Sequence, residues 1–156
     1  MACWHWGAQR APEPNDMKDA TMRRSIYVEG FSHGQNPVPA ASAIGNLLMT
    51  GAIFGSDPAT GKVVEDVGEQ CRLMFHNAER ILSAAGGTFD DVLKMTFYSR
   101  AEVPRELINQ HWMRVFPDPA SRPARHVIVS DRLPASMSLQ CDLFACIGER
   151  SAQSIV

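Results

Sequence analysis

Two arginines beside Pro123 carry the side chains best suited to bind a charged small molecule. Arg122 and Arg125 stand on either side of this proline, immediately before a predicted strand. An arginine held at a strand start presents a planar fork of donors that suits a carboxylate or a phosphate. A loop arginine is also commonly a solvated surface charge. The pair marks a candidate anion site, with the surface-charge interpretation left open.

The other reactive side chains show no spacing typical of a site. The histidines of the regular part of the chain are scattered: His33, His76, His111 and His126. The cysteines form no CxxC pair and no cluster with histidines: Cys3, Cys71, Cys141 and Cys146. We therefore expect no metal site, buried free thiols, and a reducing, cytoplasmic compartment. Walker A, GxGxxG, HExxH and GxSxG motifs are absent from the sequence, and we expect no cofactor.

Length and composition describe one globular domain. The chain has 156 residues, of which 45% are hydrophobic and 21% charged, with a formal net charge of -2. That length suits a single core that needs no disulfide or metal to fold. The near-neutral balance argues against nucleic acid as the main partner, since phosphate recognition usually leaves a basic face. The longest apolar-rich run, residues 44–54, is too short and too interrupted to cross a membrane.

The two ends of the chain differ from its middle. Residues 1–21 show no hydrophobic periodicity and contain Pro12 and Pro14, so we predict a flexible N-terminal extension over 1–24. Trp4 and Trp6 flank His5, but we assign this group no chemistry. We expect the domain to span residues 25–150 and a short tail to follow over 151–156.

Apolar periodicity predicts the element order β-β-α-β-α-β-β. We expect strands over 26–30, 44–53, 92–98, 125–129 and 138–147, and a loop over 31–42. In the strand over 92–98, alternation puts Leu93, Met95 and Phe97 on one face. An apolar stripe predicts a helix from Val67 to about residue 85, and a second helix starts near Pro104. These elements form an α+β fold in which two helices cover a single sheet.

The last predicted strand has two unlike faces. Leu139, Cys141 and Leu143 share an apolar face that suits the helices. The other face carries Gln140 and Asp142 beside Phe144, a mixture that fits neither a plain core nor full exposure. We therefore expect a second copy of the chain to pack against it.

Several motifs together resemble the RidA family of imine and enamine deaminases, also called YjgF and formerly endoribonuclease L-PSP. They occur in the family's order and spacing: the strand GNLLMTG at 45–51, the turn DPATG at 57–61, the run AAGGTFDDVLKMT at 84–96, RPAR at 122–125 and Leu133-Pro134. The resemblance covers about residues 26–148. It implies a chorismate-mutase-like fold, a homotrimer with a central barrel, and clefts between subunits. It also implies cofactor-free hydrolysis of small 2-imino or enamine acids to keto acids and ammonia.

The resemblance also assigns roles to individual positions. Arg125 matches the family's arginine that grips the substrate carboxylate, and Gly51 and Val127 match places where main chain lines the cleft. Asn109 falls at the family's cleft-facing asparagine. Gln140 stands where these deaminases commonly have a glutamate that positions or activates water. An amide can hold a water molecule but cannot take its proton near neutral pH.

Three functions remain open from the sequence. The first is a RidA-like deaminase in which Arg125 anchors the carboxylate and Gln140 orients water. The second is a trimer that binds small keto or amino acids in the same cleft without turnover. The third is a role with RNA or a protein partner, which the net charge of -2 favours least.

Overall fold

The structure, a computed structural model, describes residues 22–148. Most of the predicted N-terminal extension, the group around His5, Cys3 and the predicted tail lie outside these residues. The domain boundaries at residues 25 and 150 stay predictions; the first strand already includes Arg24.

One mixed sheet forms the centre of the fold. Its strands are β1 (Arg24–Ile26), β2 (Ala41–Ile44), β3 (Leu47–Thr50), β4 (Ile53–Phe54), β5 (Val92–Ser99), β6 (Ala124–Val129) and β7 (Leu139–Cys146). The spatial order is β1-β2-β3-β7-β5-β6, and β4 also pairs with β7. The β5–β6 pair is parallel and the other pairs are antiparallel. β6 therefore forms one edge of the sheet.

Two helices cover one face of this sheet, which confirms the predicted α+β class. Helix α1 (Val67–Ala84) begins at Val67 as expected, and the side chain of the preceding Asp66 accepts a hydrogen bond from the Glu69 backbone N–H. Helix α2 (Arg105–Val115) begins directly after Pro104. Phe97 of β5 packs against Phe75 of α1 and Trp112 of α2, with ring centroids 5.7 and 6.1 Å apart. These contacts define the helix-covered face.

The strand expected over 44–53 is instead a hairpin followed by a separate short strand. Ile44 of β2 pairs with Leu47 of β3, so Gly45 and Asn46 form a two-residue turn. Gly45 has φ +57° and Asn46 has a negative φ, the arrangement of a type II′ turn. The apolar residues on both sides of the turn conceal it in the sequence. The first strand is also shifted: β1 ends at Ile26, and the expected loop over 31–42 ends where β2 begins at Ala41.

The face predicted for Leu93 is wrong. Met95 and Phe97 are fully buried against the helices, but Leu93 is 52% exposed. A β-bulge between Val92 and Lys94 interrupts the alternation and turns the Leu93 side chain outward.

The last strand has the two faces that the sequence predicts. Leu139, Cys141, Leu143 and Ala145 of β7 are buried, and the residues between them are half-buried. The half-buried set belongs to the sheet face opposite the helices, which we call the open face. β3 places Leu47 and Met49 on this open face, opposite Cys146 and Phe144. Met49 is 60% exposed, so an apolar patch lies there uncovered in the single chain.

The cysteines that the structure describes are free thiols. Cys71 and Cys141 are buried as expected, whereas Cys146 is only half-buried and its Sγ accepts a hydrogen bond from Asn46. Burial raises the pKa of the Cys71 thiol to about 12, so it acts as a small apolar core residue. No helix within residues 22–148 is long and apolar enough to cross a membrane.

Candidate functional site

Arg125 lies at the edge of the helix-covered face. It is the second residue of β6 and pairs in register with the buried Met95, so its side chain shares the face of Met95. The guanidinium carbon stands 5.0 Å from the centroid of the Trp112 ring. This cation–π contact holds the guanidinium over the ring and leaves its N–H groups available.

The charge of Arg125 is not neutralised within the described part of the chain. Among residues 22–148, the structure gives the guanidinium neither a hydrogen-bond acceptor nor an ion-pair partner. Partial burial, and secondarily the positive charge of Arg105, lower the pKa of Arg125 from its usual value. Arginine remains charged after such a shift. A half-buried cation with free donors is suited to bind an anion.

Asn109 and Val127 flank the same corner. Asn109 lies three residues before Trp112 and four after Arg105, which puts it on the α2 face that carries both. Val127 follows Arg125 by two residues, so both side chains share one face of β6. By position, Arg125, Asn109 and Val127 therefore border the same corner, and the Asn109 amide itself donates to the Glu106 carboxylate. Arg122, in contrast, donates to the Phe116 and Pro117 carbonyls and serves the loop.

Gln140 lies elsewhere, in a cavity on the open face. Its neighbours in register are Tyr98 of β5 and Phe54 of β4. The chain between β1 and β2 folds over this end of the sheet and leaves a cavity of about 420 Å³. We call it the Gln140 cavity; its lining includes His33, Ala52, Phe54, Pro134, Met137 and Gln140. The Gln140 amide has no hydrogen-bond partner within residues 22–148, so it is available to a ligand or to water.

His33 shapes one wall of the Gln140 cavity. Its Nε2 stands 2.7 Å from the Ala52 carbonyl oxygen. Because a carbonyl only accepts, Nε2 must carry the hydrogen, and the neutral ring then has a bare Nδ1. The ring also makes edge contacts with Phe31 and Phe54, at centroid distances of 5.5 and 5.8 Å. Nδ1 is buried and is the one such side-chain polar atom within residues 22–148 that lacks a partner.

Gly51 packs against the His33 ring, next to Ala52, which lines the cavity. A Cβ at position 51 would stand 3.3 Å from His33 Cε1 and 3.4 Å from Nε2, so the imidazole occupies the space a side chain would need. The Gly51 N–H donates to the Ala40 carbonyl at 2.9 Å. The Gly51 backbone therefore supports the His33 ring, and His33 and Ala52 together form this wall.

A second wall is the segment 133–138, held in place from two sides. Arg100 donates from Nε to the Met137 carbonyl and from an Nη group to the carbonyls of Leu133 and Pro134, at 2.9 to 3.1 Å. Gln70 is 2% exposed and donates to the Ser136 carbonyl while accepting from the Ser138 N–H. This segment leads directly into β7, so the two side chains also fix where Gln140 stands.

Asp142 lies near Gln140, but its carboxylate acts on the Tyr98 hydroxyl. It lies two residues further along β7, on the same open face. Its carboxylate raises the pKa of the Tyr98 hydroxyl by charge repulsion with the phenolate form.

Arg125 and Gln140 lie on opposite faces of the sheet. Arg125 pairs with Met95, which faces the helices, whereas Gln140 pairs with Tyr98 on the other side of the β5 pleat. The predicted site residues therefore form two groups in one chain. The first group is Arg125, Asn109 and Val127, and the second is Gln140 and Gly51. One chain cannot bring both groups to the same small molecule.

Sequence reasoning missed His33, Arg100 and Gln70. The partners of His33 at Ala52 and Phe54 are separated from it by a loop and a hairpin, so no short motif marks it. Arg100 and Gln70 act on segments 33 and 66 residues away. No group of three or more metal-ligating side chains occurs in the described range 22–148.

Comparison with known proteins identifies the class that this fold and these residues define. The profile of the family described as endoribonuclease L-PSP matches residues 38–147. That span holds most of the sheet, both helices and all five predicted site residues. The chain therefore belongs to this family, which is the RidA/YjgF family.

Individual relatives agree with this assignment. A RutC family protein of Pyrococcus horikoshii is 30% identical over 125 residues, covering 80% of this chain and 98% of its own. A 2-iminobutanoate/2-iminopropanoate deaminase of Salmonella typhimurium is 27% identical, again over 80% of this chain and 98% of its own. The crystal structure of Escherichia coli TdcF with bound serine superposes with a TM-score of 0.72 at 25% identity. It covers 80% of this chain and 99% of that one.

Proposed function

We propose that this protein catalyses the cofactor-free hydrolytic deamination of a small 2-imino or enamine carboxylic acid to a 2-oxo acid and ammonia. The observation that carries the proposal is the Arg125 guanidinium, stacked on Trp112 with no anionic partner in residues 22–148. Such a group both neutralises a carboxylate and fixes the adjoining carbon for attack. The deaminase name of the Salmonella relative and the serine held by TdcF support a small carboxylate as ligand.

The complete site lies between two copies of the chain in this proposal. One copy supplies Arg125 with Asn109 and Val127, and its neighbour supplies Gln140 with Gly51 and Ala52. A homotrimer closed by the open faces would join the two groups around its axis. Two observations support this arrangement: the groups occupy opposite sheet faces, and Met49 lies 60% exposed on the open face. We also place the protein in the cytoplasm, consistent with the free thiols of Cys71, Cys141 and Cys146.

The reaction needs only water. The water oxygen adds to the imine carbon while the C=N bond becomes single, which gives a tetrahedral carbinolamine. The carbon–nitrogen bond then breaks, the C=O bond forms, and nitrogen leaves with the protons of the water as ammonia. Arg125 holds the carboxylate throughout, and the Gln140 amide accepts a hydrogen bond from the attacking water. The imine nitrogen is itself basic enough to collect the proton, so an amide at position 140 is compatible with turnover.

Binding without turnover is the second candidate, and the side chain at position 140 favours it. An amide cannot act as general base, and a positioned base typically contributes about a hundredfold or more. In that case the protein binds 2-oxo or amino acids in the same cleft.

A trapping assay separates these candidates. An amino-acid oxidase generates the imino acid in situ from methionine, and samples taken at successive times are treated with semicarbazide. The amount of semicarbazone formed at each time reports the decay of the imino acid. Wild-type protein should accelerate this decay. Arg125→Ala should lower the acceleration by about a hundredfold or more, because the carboxylate loses a charge-assisted bidentate partner. It should equally abolish thermal stabilisation by pyruvate.

The matched control is Arg72→Ala. Arg72 lies on the surface of α1 and pairs with Glu69, so its removal should leave decay and pyruvate stabilisation at wild-type levels. If wild type matches buffer while pyruvate still stabilises it, the protein is a binder of carboxylates and the deaminase proposal fails. If Arg125→Ala changes neither readout, the carboxylate site is misplaced.

A further inference from the structure

The lining of the Gln140 cavity is neutral. Phe54, Pro134 and Met137 supply apolar surface, and the polar side chains around them are all uncharged donors or acceptors: Ser32, His33, Asn36 and Gln140. No carboxylate, lysine or arginine side chain of the described residues lines it. A charged group entering such a cavity would lose its hydration without gaining an oppositely charged partner, which is costly. The cavity therefore suits an uncharged ligand part with an apolar body.

The cavity is also large for the smallest imino acids. Its volume is about 420 Å³, within the range of about 300–1,000 Å³ that is usual for ligand pockets. At about 30 Å³ for each water-sized group, the roughly six non-hydrogen atoms of 2-iminopropanoate would fill less than half of it. In the proposed site the carboxylate of such a molecule would moreover lie at Arg125 of the neighbouring copy. The space beside Gln140 is then left for the substrate side chain.

The walls of the cavity hold their shape. His33 is tied to the Ala52 carbonyl and wedged between two phenylalanine rings, while Arg100 holds the segment that carries Pro134 and Met137. Collapse of the cavity onto a small substrate would have to break these hydrogen bonds. A preformed space of this kind favours ligands that fill it, because an unfilled apolar cavity forfeits contacts.

We propose that the Gln140 cavity is the specificity pocket of this protein and takes a long, neutral substrate side chain, such as those of methionine or phenylalanine. The inference rests on the proposed function, because it assumes that the carboxylate binds at Arg125. It predicts selection against both short side chains and acidic ones.

Calorimetry with stable 2-oxo acids tests the pocket independently of turnover. The probes are the 2-oxo acids of methionine and phenylalanine, compared with pyruvate and 2-oxoglutarate. The first two should bind at least tenfold more tightly than the last two. Equal or tighter binding of pyruvate or 2-oxoglutarate overturns the inference. If the expected ranking holds but none of the matching imino acids decays faster than in buffer, the deaminase proposal fails and the pocket stands.

A filled pocket provides the matched comparison. Met137→Trp adds bulk to one wall and should reduce the preference for the phenylalanine-derived acid over pyruvate at least tenfold. Tyr27→Trp adds similar bulk at a position that is 72% exposed and should keep the wild-type preference. Thermal melts of both variants show whether either one has a folding defect. If Met137→Trp does, the order in which wild-type protein binds the four 2-oxo acids decides the test. An unchanged preference in a folded Met137→Trp protein counts against the pocket.

Discussion

Whether position 140 carries an amide or a carboxylate decides whether its side chain can accept a proton. The Gln140 amide lies between Tyr98 and Phe54 in register and has no partner within residues 22–148. It can hold a water molecule by hydrogen bonds, but it stays neutral at every pH of interest. A glutamate carboxylate at the same place would become a proton acceptor once ionised, and the ordinary pKa of glutamate is about 4.3. The two side chains have similar size, so exchanging them isolates the proton-transfer property.

Gln140→Glu should therefore raise the imine hydrolysis rate at neutral pH, by about tenfold, because it adds a general base. It should also add a new acid limb to the pH–rate profile. The carboxylate is active only when ionised, so the rate should fall as the pH drops through its pKa. Gln140→Leu removes the water contact and should lower kcat with little change in KM. A slower Gln140→Glu enzyme without an acid limb would mean that the cavity requires the amide.

Residues that act through their local sequence position were predictable, and those that act through distant contacts were not. Arg125 could be singled out because a proline and a strand start fix its surroundings. Gln140 and Asp142 could be assigned to one face because strand alternation has a period of two. His33 could not be found, because its role depends on Ala52 and Phe54 folding back against it.

Helix α1 does more than cover the sheet, because Gln70 in its first turns ties it to the segment before β7. The amide nitrogen donates to the Val64 and Ser136 carbonyls at 2.7 and 3.1 Å, and the amide oxygen accepts from the Ser138 N–H at 2.9 Å. Both amide N–H donors and the amide oxygen are thus directed at backbone groups of other segments. A buried amide with every atom satisfied is specific for one arrangement of the elements.

Gln70→Leu should destabilise the protein by about 2–4 kcal/mol, because it leaves buried backbone groups without partners. Urea denaturation followed by fluorescence measures this difference. Gln110→Leu is the matched control: Gln110 is exposed on α2, so the same substitution there should leave the unfolding midpoint nearly unchanged. Equal midpoints for the two variants would show that the 133–138 segment does not depend on Gln70.

The type of an element could be predicted where its apolar pattern repeats over many residues. Strand boundaries could not be predicted where the apolar run is short. The apolar stripe of α1 extends over its whole length, and its cap at Asp66 is a standard helix start. The run over 44–53 has apolar residues before and after Gly45 and Asn46, so hydrophobicity alone does not distinguish one strand from a hairpin. The bulge at Leu93 is an insertion in the hydrogen-bond pattern, which hydrophobicity alone does not reveal.

The whole molecule presents one covered and one uncovered sheet face. Ile44, Leu47 and Met49 are each about half exposed or more on the open face. Packing this face against other copies removes apolar surface from water, at about 25 cal/mol for each Å² buried. We therefore expect the proposed trimer to depend on this patch.

Light scattering should give about 52 kDa for three chains of 17.2 kDa each. Met49→Lys should shift this mass toward the single chain and reduce imine hydrolysis in parallel, because it places an unpaired charge in the interface. Met22→Lys makes the same substitution at a position that is 63% exposed and outside the strands, and it should leave both mass and activity unchanged. A trimeric mass for Met49→Lys with full activity would contradict an interface on the open face.

The opposite placement of Arg125 and Gln140 has a genetic consequence. If each cleft lies between two copies as proposed, each chain contributes Arg125 to one cleft and Gln140 to another. A chain defective at Arg125 and a chain defective at Gln140 are each inactive alone. In a mixed ring, one of the three clefts receives the intact arginine of one chain and the intact glutamine of the other. Two recessive defects in the same coding sequence would then complement each other, although neither allele encodes a functional protein.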